Sequence, residues 1–304
     1  MLFRSIILFV SLFLLAPGAT PASPLHSVEK KNLTLTDATG KAVKLSLPAQ
    51  RIVSLAPSVT EILFALGLES AIVGVTESCN FPEQVNKKQR IGNPIQPNVE
   101  VLLSLQPDLV LAVDGVTGSV GIEALRRVGL PVFTLKPRMI PSLLDEIRLI
   151  GRLTAREREA EELAGRIKES IEKVENKVRD REPVSVLYLI WHDPMMTAGP
   201  DTFIGEMIRR AGGEIMGSEL GLGYFRLGME AVLEADPEVI IIGDEIGRGN
   251  IEGQKEYWKR WSTIRAIQDG RIHFIPADLV HRPGPRISEG MAVFAELLHP
   301  GLFK

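Results

Sequence analysis

Two carboxylates, Glu100 and Glu230, occupy equivalent positions in two similar segments of the chain. Each begins a pattern of Glu, an apolar helical stretch, a Pro seven residues later, an acid and a buried strand, in segments 98–111 and 228–241. The chain therefore contains an internal repeat. Each Glu falls near the second position of a predicted helix, where the helix dipole stabilises a carboxylate. The alternative is that the two carboxylates, one in each half, form a two-point docking site for a partner with Arg residues.

Other reactive side chains form no recognisable catalytic or metal-binding motif. No G-x-S-x-G, Walker A or H-E-x-x-H sequence is present. Gly221 and Gly223 supply two glycines of a dinucleotide fingerprint, but Arg226 stands where the third is needed. Four histidines are scattered without ligand spacing: His192, His273, His281 and His299. We therefore predict no enzyme, no resident metal site and no cofactor.

Predicted strands alternate with predicted helices on both sides of a long central helix. The strands are 51–55, 71–75, 108–113 and 131–135 before it, and 184–190, 239–242 and 272–275 after it. This alternation predicts mostly parallel sheets covered on both faces. A β-hairpin, 32–35 with 42–45, precedes them, and residues 191–196 and 281–286 are predicted loops. A helix is expected over 256–267.

The central helix is predicted from Thr154 to about Asp180. Apolar residues recur on one face at three- and four-residue steps, and charged residues fill the rest. Thr154 with Glu157, and Ser58 with Glu61 earlier in the chain, have the spacing of capping boxes. At 1.5 Å per residue the helix is roughly 39 Å long. We expect two lobes joined by a stiff rod.

Length and composition fit an exported, soluble protein of 304 residues. Residues 1–22 have a positive start, an apolar run too short to span a bilayer and small residues, as in a secretory signal peptide. The predicted domains are 23–140, 141–181 for the linking helices, and 182–304. A net charge of −3 argues against nucleic acid. The one cysteine, Cys79, allows no intrachain disulfide, and no Cys follows the apolar run, as a lipoprotein anchor would need.

The sequence resembles a known family, the periplasmic solute-binding proteins of ABC importers for vitamin B12, ferric siderophores and haem. It is most similar to the cobalamin-binding members. The resemblance covers about residues 45–302 and rests on an ordered set of segments: 51–61, 74–82, 98–110, 197–203, 211–213, 282–286 and 298–300.

The resemblance implies an α/β fold of two Rossmann-like lobes bridged by a single long helix, the helical-backbone metal-chelate receptor type, with ligand in the cleft. It implies a periplasmic monomer that delivers a metal chelate such as cobalamin to an ABC permease dimer in the inner membrane. A Glu on each lobe docks onto Arg residues of that permease in this family, and Glu100 and Glu230 match those positions.

Ligands of open α/β sheets bind outside the carboxyl ends of strands. By the resemblance, the second half retains an aromatic and polar part of the cobalamin site. The predicted ligand-binding residues are Trp191, Tyr224, Asp278, Arg282, Ser78 and His281. For Arg282 the alternative is a structural salt bridge, for Trp191 a cap on the sheet, and for Tyr224 a loop position without ligand contact. His281 and His192 are candidate axial ligands of a corrin cobalt or haem iron.

The nature of the ligand stays open between a corrinoid, a ferric siderophore and haem. Ser78, Pro94 and Val113 stand where the cobalamin binders carry aromatic residues. A periplasmic sensor that reports ligand to a receptor is a further alternative, and an enzyme is the least favoured.

Overall fold

The computed structural model describes residues 30–216, 221–244 and 251–302. The predicted signal peptide, residues 1–22, lies outside them. In the first lobe the strands are β1 (Lys31–Thr36), β2 (Ala42–Leu47), β3 (Ile52–Ser54), β4 (Ile72–Val75), β5 (Leu109–Val113) and β6 (Val132–Leu135). The helices are α1 (Pro57–Ala65), α2 (Val99–Ser104), α3 (Ser119–Arg127) and α4 (Ile140–Thr154). β1 and β2 form the predicted hairpin, and the parallel sheet has the order β4-β3-β5-β6.

The second lobe follows helix α5 (Glu157–Val178). Its strands are β7 (Val184–His192), β8 (Met195–Ala198), β9 (Gly213–Ile215), β10 (Tyr224–Arg226), β11 (Val239–Asp244) and β12 (Ile272–Pro276). Its helices are α6 (Phe203–Arg210), α7 (Met229–Ala235), α8 (Ile251–Lys259), α9 (Arg265–Gln268) and α10 (Ile287–Leu298). The sheet has the order β10-β8-β7-β11-β12, with β9 also paired to β7. β8 and β10 are its antiparallel members.

Helix α5 bridges the two lobes, which confirms the predicted two-lobed α/β fold. Its 22 residues span about 33 Å. Arg148 of α4 binds Glu161 near its start at 2.6 Å, and Arg210 of α6 binds Glu175 near its end at 2.6 Å. Its apolar face belongs to one hydrophobic cluster that continues from Ile52 in the first sheet to Phe294 in α10. No helix in the described part of the chain is long and apolar enough to cross a bilayer.

Both predicted capping boxes are wrong. The Thr154 hydroxyl donates to the Ile150 carbonyl at 2.7 Å inside the last turn of α4, and α5 begins only at Glu157. Ala155 separates the helices in a left-handed conformation, φ 53°. In α1 the N-cap is Ala56, whose side chain cannot accept a hydrogen bond, and the Glu61 carboxylate binds the other lobe instead.

Two further predictions differ from the structure. Residues 191–196 are not a loop, because the end of β7 and the start of β8 pair around the Asp193–Pro194 turn. Residues 256–267 form two helices rather than one. The Asp236 carboxylate accepts the backbone N–H of Arg265 at 2.8 Å, so α9 starts separately against the preceding loop.

The internal repeat is visible in the backbone. Helix α2 with β5, and helix α7 with β11, share a left-handed residue before the common Pro: Gln106 at φ 45° and Asp236 at φ 42°. The acid after each Pro accepts a backbone N–H at the start of the first strand of its own sheet, Asp108 from Arg51 at 2.8 Å and Glu238 from Ser185 at 2.9 Å. The two segments therefore perform the same structural task in each lobe.

Candidate functional site

A cavity of about 620 Å³ lies between the two lobes. Its first wall comes from the chain just beyond the carboxyl ends of β5 and β6, where ligands of parallel sheets bind. Its second wall comes from β7, β8, the start of α6, β10 and the loop before α10. The lining residues are Val113–Val116 and Lys136–Arg138 on one side, with Ile190, Met196, Asp201–Ile204, Gly223, Tyr224, His281 and Pro283 on the other.

The cavity walls are mostly apolar and carry few charges. Lys136 forms an ion pair with Asp114, and the Asp201 carboxylate accepts the backbone N–H of Gly223 at 2.7 Å. Arg138 is exposed and makes no ion pair or hydrogen bond with any described residue. The cleft therefore offers an apolar surface, and Arg138 at its edge is a cation that pairs with no described residue.

Two of the predicted ligand residues, Tyr224 and His281, line this cavity. Tyr224 is 54% exposed, and its phenol is protonated at neutral pH and can donate. Partial burial and the charge of Asp201 raise its pKa further. His281 Nε2 lies 2.8 Å from the Tyr188 hydroxyl. Burial lowers the pKa of His281 to about 4, so the imidazole is neutral. Because Nε2 is engaged, axial ligation by His281 needs Nδ1 or a broken hydrogen bond.

The pKa of His281 predicts that acid weakens the fold. Between pH 6.5 and about 4 the unfolded chain binds a proton at His281 that the folded protein does not. The free energy of unfolding should therefore fall on acidification, by up to about 3 kcal/mol from this group. Half-buried Glu146 acts in the opposite direction. Burial raises its pKa from 4.5 to about 7, so its contribution to the free energy of unfolding falls as the pH rises through that range.

The two effects are separated by urea unfolding of the wild type and of His281→Gln at several pH values from 4 to 7. The variant should lose less stability on acidification than the wild type, since glutamine has no proton to gain. Equal slopes for the two proteins would contradict the assignment.

Three other predicted residues join a polar network that ties the lobes together. Arg282 donates to Asn80 Oδ1 at 2.6 Å and to the Ser78 carbonyl at 3.4 Å, and pairs with Asp278 at 2.7 Å. Asn80 donates back to Asp278 at 3.0 Å. Arg282 therefore forms the structural salt bridge that was the alternative to ligand contact. A ligand role for Ser78, Asp278 and Arg282 stays a prediction.

The centre of this interlobe network is Glu61 of α1, whose side chain is 2% exposed. Arg286 donates to both of its carboxylate oxygens, at 2.9 and 2.7 Å, and Arg282 lies 3.3 Å from one of them. The Arg286 guanidinium also stacks over the Phe81 ring, 4.2 Å from its centroid. The hydrogen bonds to Glu61 raise the pKa of Arg286, which keeps its charge. The network fixes one lobe against the other.

The remaining predicted residues lie outside the cavity lining. Trp191 is 45% exposed at the end of β7, where its Nε1 donates to the Asp193 carbonyl at 2.7 Å and its ring stacks on His192. Glu100 and Glu230 are both exposed in the first turns of α2 and α7. Neither carboxylate has an ion pair with a described residue. They are accessible, one on each lobe, as docking would require.

The match to known proteins identifies the family. A family model described as periplasmic binding protein matches residues 52–279. The chain belongs to the periplasmic binding protein family. An ABC transporter substrate-binding lipoprotein of Bacillus subtilis, YvrC, is 30% identical over 309 residues, 98% of this chain and 96% of its own. A vitamin B12-binding protein of Vibrio cholerae is 26% identical over 241 residues, 79% of this chain and 85% of its own.

A solved structure agrees with these relatives. It is described as a possible iron-binding (periplasmic solute-binding) protein of Staphylococcus epidermidis, and matches at 29% identity and a TM-score of 0.73. The match covers 83% of this chain and 99% of that one. This periplasmic binding protein is thus the substrate-binding component of an ABC transporter, which works with a membrane permease. Its relatives are binding proteins of transporters and not enzymes.

Two features of this binding protein were missed from sequence. Arg138 follows β6, so the rule that ligands bind beyond strand ends would have found it. Glu61 was interpreted as a capping residue. Its position among Val59, Ile62 and Leu63, all buried, was the signal that its carboxylate needs a buried partner. Within the described residues, no group of three or more His, Cys, Asp or Glu is arranged to hold a metal ion.

Proposed function

We propose that this protein captures a corrinoid, cobalamin or a close analogue, in the interlobe cleft and delivers it to an ABC permease. The observation that carries the proposal is the cleft cavity, with its apolar walls beyond the strand ends of both lobes. Apolar walls suit the faces of a macrocycle, and a few polar groups fix its orientation. The similarity to a vitamin B12-binding protein supports this choice of ligand.

In this proposal Tyr224 contacts the ligand from β10, and neutral His281 lies at the inner wall. Trp191 extends the same side of the site from the end of β7. Three further residues contact the ligand at the edge of the cleft, where their network joins the lobes: Ser78, Asp278 and Arg282. The metal belongs to the ligand, and the protein contributes shape, apolar surface and hydrogen bonds.

The first test is a titration of the mature protein with cyanocobalamin, followed by heat release and Trp quenching together. We expect one-to-one binding, weakened about tenfold by Tyr224→Ala, because an aromatic contact and its buried area are lost. Tyr257→Ala is the matched control, since Tyr257 is an exposed tyrosine of α8 that does not line the cleft. Equal affinity in both variants would contradict the assignment of Tyr224.

An anionic chelate, haem or a ferric siderophore, is the second candidate, favoured by Arg138. An unpaired guanidinium at the cleft edge suits the carboxylates of such ligands. If cyanocobalamin does not bind, the same titration with haem and with a ferric siderophore follows. If haem or a ferric siderophore binds, Arg138→Gln should weaken its binding. If cyanocobalamin binds instead, the same change should leave its affinity nearly unchanged.

Delivery requires docking, which we assign to Glu100 and Glu230 through Arg residues of the permease dimer. The proposal includes export by a cleaved signal peptide and a monomeric mature protein. A sensor that reports ligand to a receptor would use the same cleft. Dependence of uptake on the two glutamates separates transport from sensing.

A further inference from the structure

A second apolar cavity of about 520 Å³ lies in the first lobe, and it shares no lining residue with the ligand cleft. It is a groove between the loop before α2 and the start of α3. We call it the Ile95–Val120 groove. Its lining residues are Ile95, Gln96, Pro97 and Val99 on one side and Gly118–Gly121 with Ala124 on the other.

The groove exposes large apolar side chains to solvent. Val120 is 83% exposed and Ile95 is 63% exposed. Both side chains border the same groove, so they form a patch and are not isolated. Contiguous exposed apolar patches mark sites where another molecule binds.

Backbone contacts fix the shape of the groove. The Asn93 carboxamide oxygen accepts the backbone N–H groups of Ile95 at 3.0 Å and Gln96 at 2.8 Å, which fixes the loop. Helix α3 approaches this loop so closely that a Cβ at Gly121 would lie 2.7 Å from the Ile95 carbonyl oxygen. Only glycine fits there. The exposure of Ile95 is therefore a fixed feature of the first lobe.

The groove adjoins Glu100. Val99, which lines the groove, is the first residue of α2, and Glu100 is the next. Glu100 is exposed and has no ion pair with a described residue. An apolar groove beside an uncommitted carboxylate complements a segment that carries an apolar side chain next to a cation. A permease surface with an apolar side chain beside an Arg residue would supply this chemistry.

We propose that the Ile95–Val120 groove receives an apolar side chain from the periplasmic face of the permease, next to the Glu100 contact. The inference rests on the proposed docking by Glu100 and extends it from a charge contact to a defined apolar one. The groove provides contact area, and Glu100 provides orientation.

The test measures binding of the mature protein to its cognate ABC permease and ATPase in lipid nanodiscs. Val120→Asp places a charge in the groove, and should weaken binding by about tenfold or more, because the carboxylate must be desolvated without a partner. Val128→Asp is the matched control, since Val128 is an exposed valine at the opposite end of the same helix. Ligand affinity should stay the same in both variants.

The outcomes separate the groove from the charge contact. If Val120→Asp weakens binding and Val128→Asp does not, the groove is supported, even if Glu100→Lys has no effect. If Glu100→Lys weakens binding and Val120→Asp behaves like its control, the groove is not part of the interface and docking by Glu100 stands. A wild type that does not bind the permease overturns both.

Discussion

Charge reversal at both carboxylates, Glu100→Lys with Glu230→Lys, is expected to reduce permease-dependent uptake to the level seen without the binding protein. Both side chains are exposed in the first turn of their helices and unpaired within the described structure, so they are available to a partner. In the proposed docking, two lysines would face Arg residues of the permease and replace two attractions by two repulsions. Ligand affinity should not change, because neither residue lines the cleft cavity. The measurement is ligand uptake into proteoliposomes that contain the permease and its ATPase.

The matched control is Glu83→Lys with Glu214→Lys. It makes the same change in net charge, again with one exposed glutamate from each lobe, but in segments other than α2 and α7. Uptake with this control should equal that of the wild type. Unchanged uptake with Glu100→Lys and Glu230→Lys combined would exclude docking through these glutamates.

The second large effect is expected at Glu61. Replacing it by Ala should lower the free energy of unfolding by about 3–5 kcal/mol, because Arg286 remains partly buried without its carboxylate and Arg282 keeps only Asp278. Arg282 and Arg286 are only 13% and 16% exposed in their side chains. The loss should be measured by urea unfolding at neutral pH. Glu69→Ala, at an exposed glutamate shortly after α1, should change stability by less than about 0.5 kcal/mol.

A double-mutant cycle distinguishes the ion pair from a packing defect. Glu61→Leu with Arg286→Met replaces the pair by apolar side chains, and should recover much of the stability lost in Glu61→Leu alone, since the unpaired charge is removed. A loss of less than about 1 kcal/mol in Glu61→Ala would show that the network contributes little to the fold.

Local pattern was enough to predict the parallel strands and the central helix. It did not predict β8, β9 or β10, which depend on tertiary contacts. Five apolar positions of α5 recur at helical spacing, so its course between the lobes was predictable; they are Leu163, Ile167, Ile171, Val174 and Val178. The repeat was predictable because Pro107 and Pro237 follow matching Glu residues. The start of α5 was not, because the Thr154 hydroxyl had a nearer acceptor in the Ile150 carbonyl.

The candidate site residues show the same contrast between what sequence comparison predicts and what tertiary contacts decide. Tyr224 and His281 were predicted from the resemblance and line the cleft. Arg282 matched the same pattern, yet its hydrogen bonds go to residues about 200 positions earlier. Partners so distant in sequence cannot be inferred from spacing. Glu61 was misinterpreted for that reason, since only the folded chain brings Arg286 to α1.

The continuous hydrophobic cluster along α5 determines whether either half of the chain can fold alone. Each lobe has its own sheet and its own copy of the repeat, as two separate folding units would. Yet α4 packs on the start of α5, and α6 and α10 pack on the rest, inside one cluster. A chain cut between Thr154 and Glu157 would expose an apolar helix face on both fragments. The two halves have similar folds, but they unfold together because they share one hydrophobic cluster. A ligand bound between them therefore stabilises the entire molecule against unfolding.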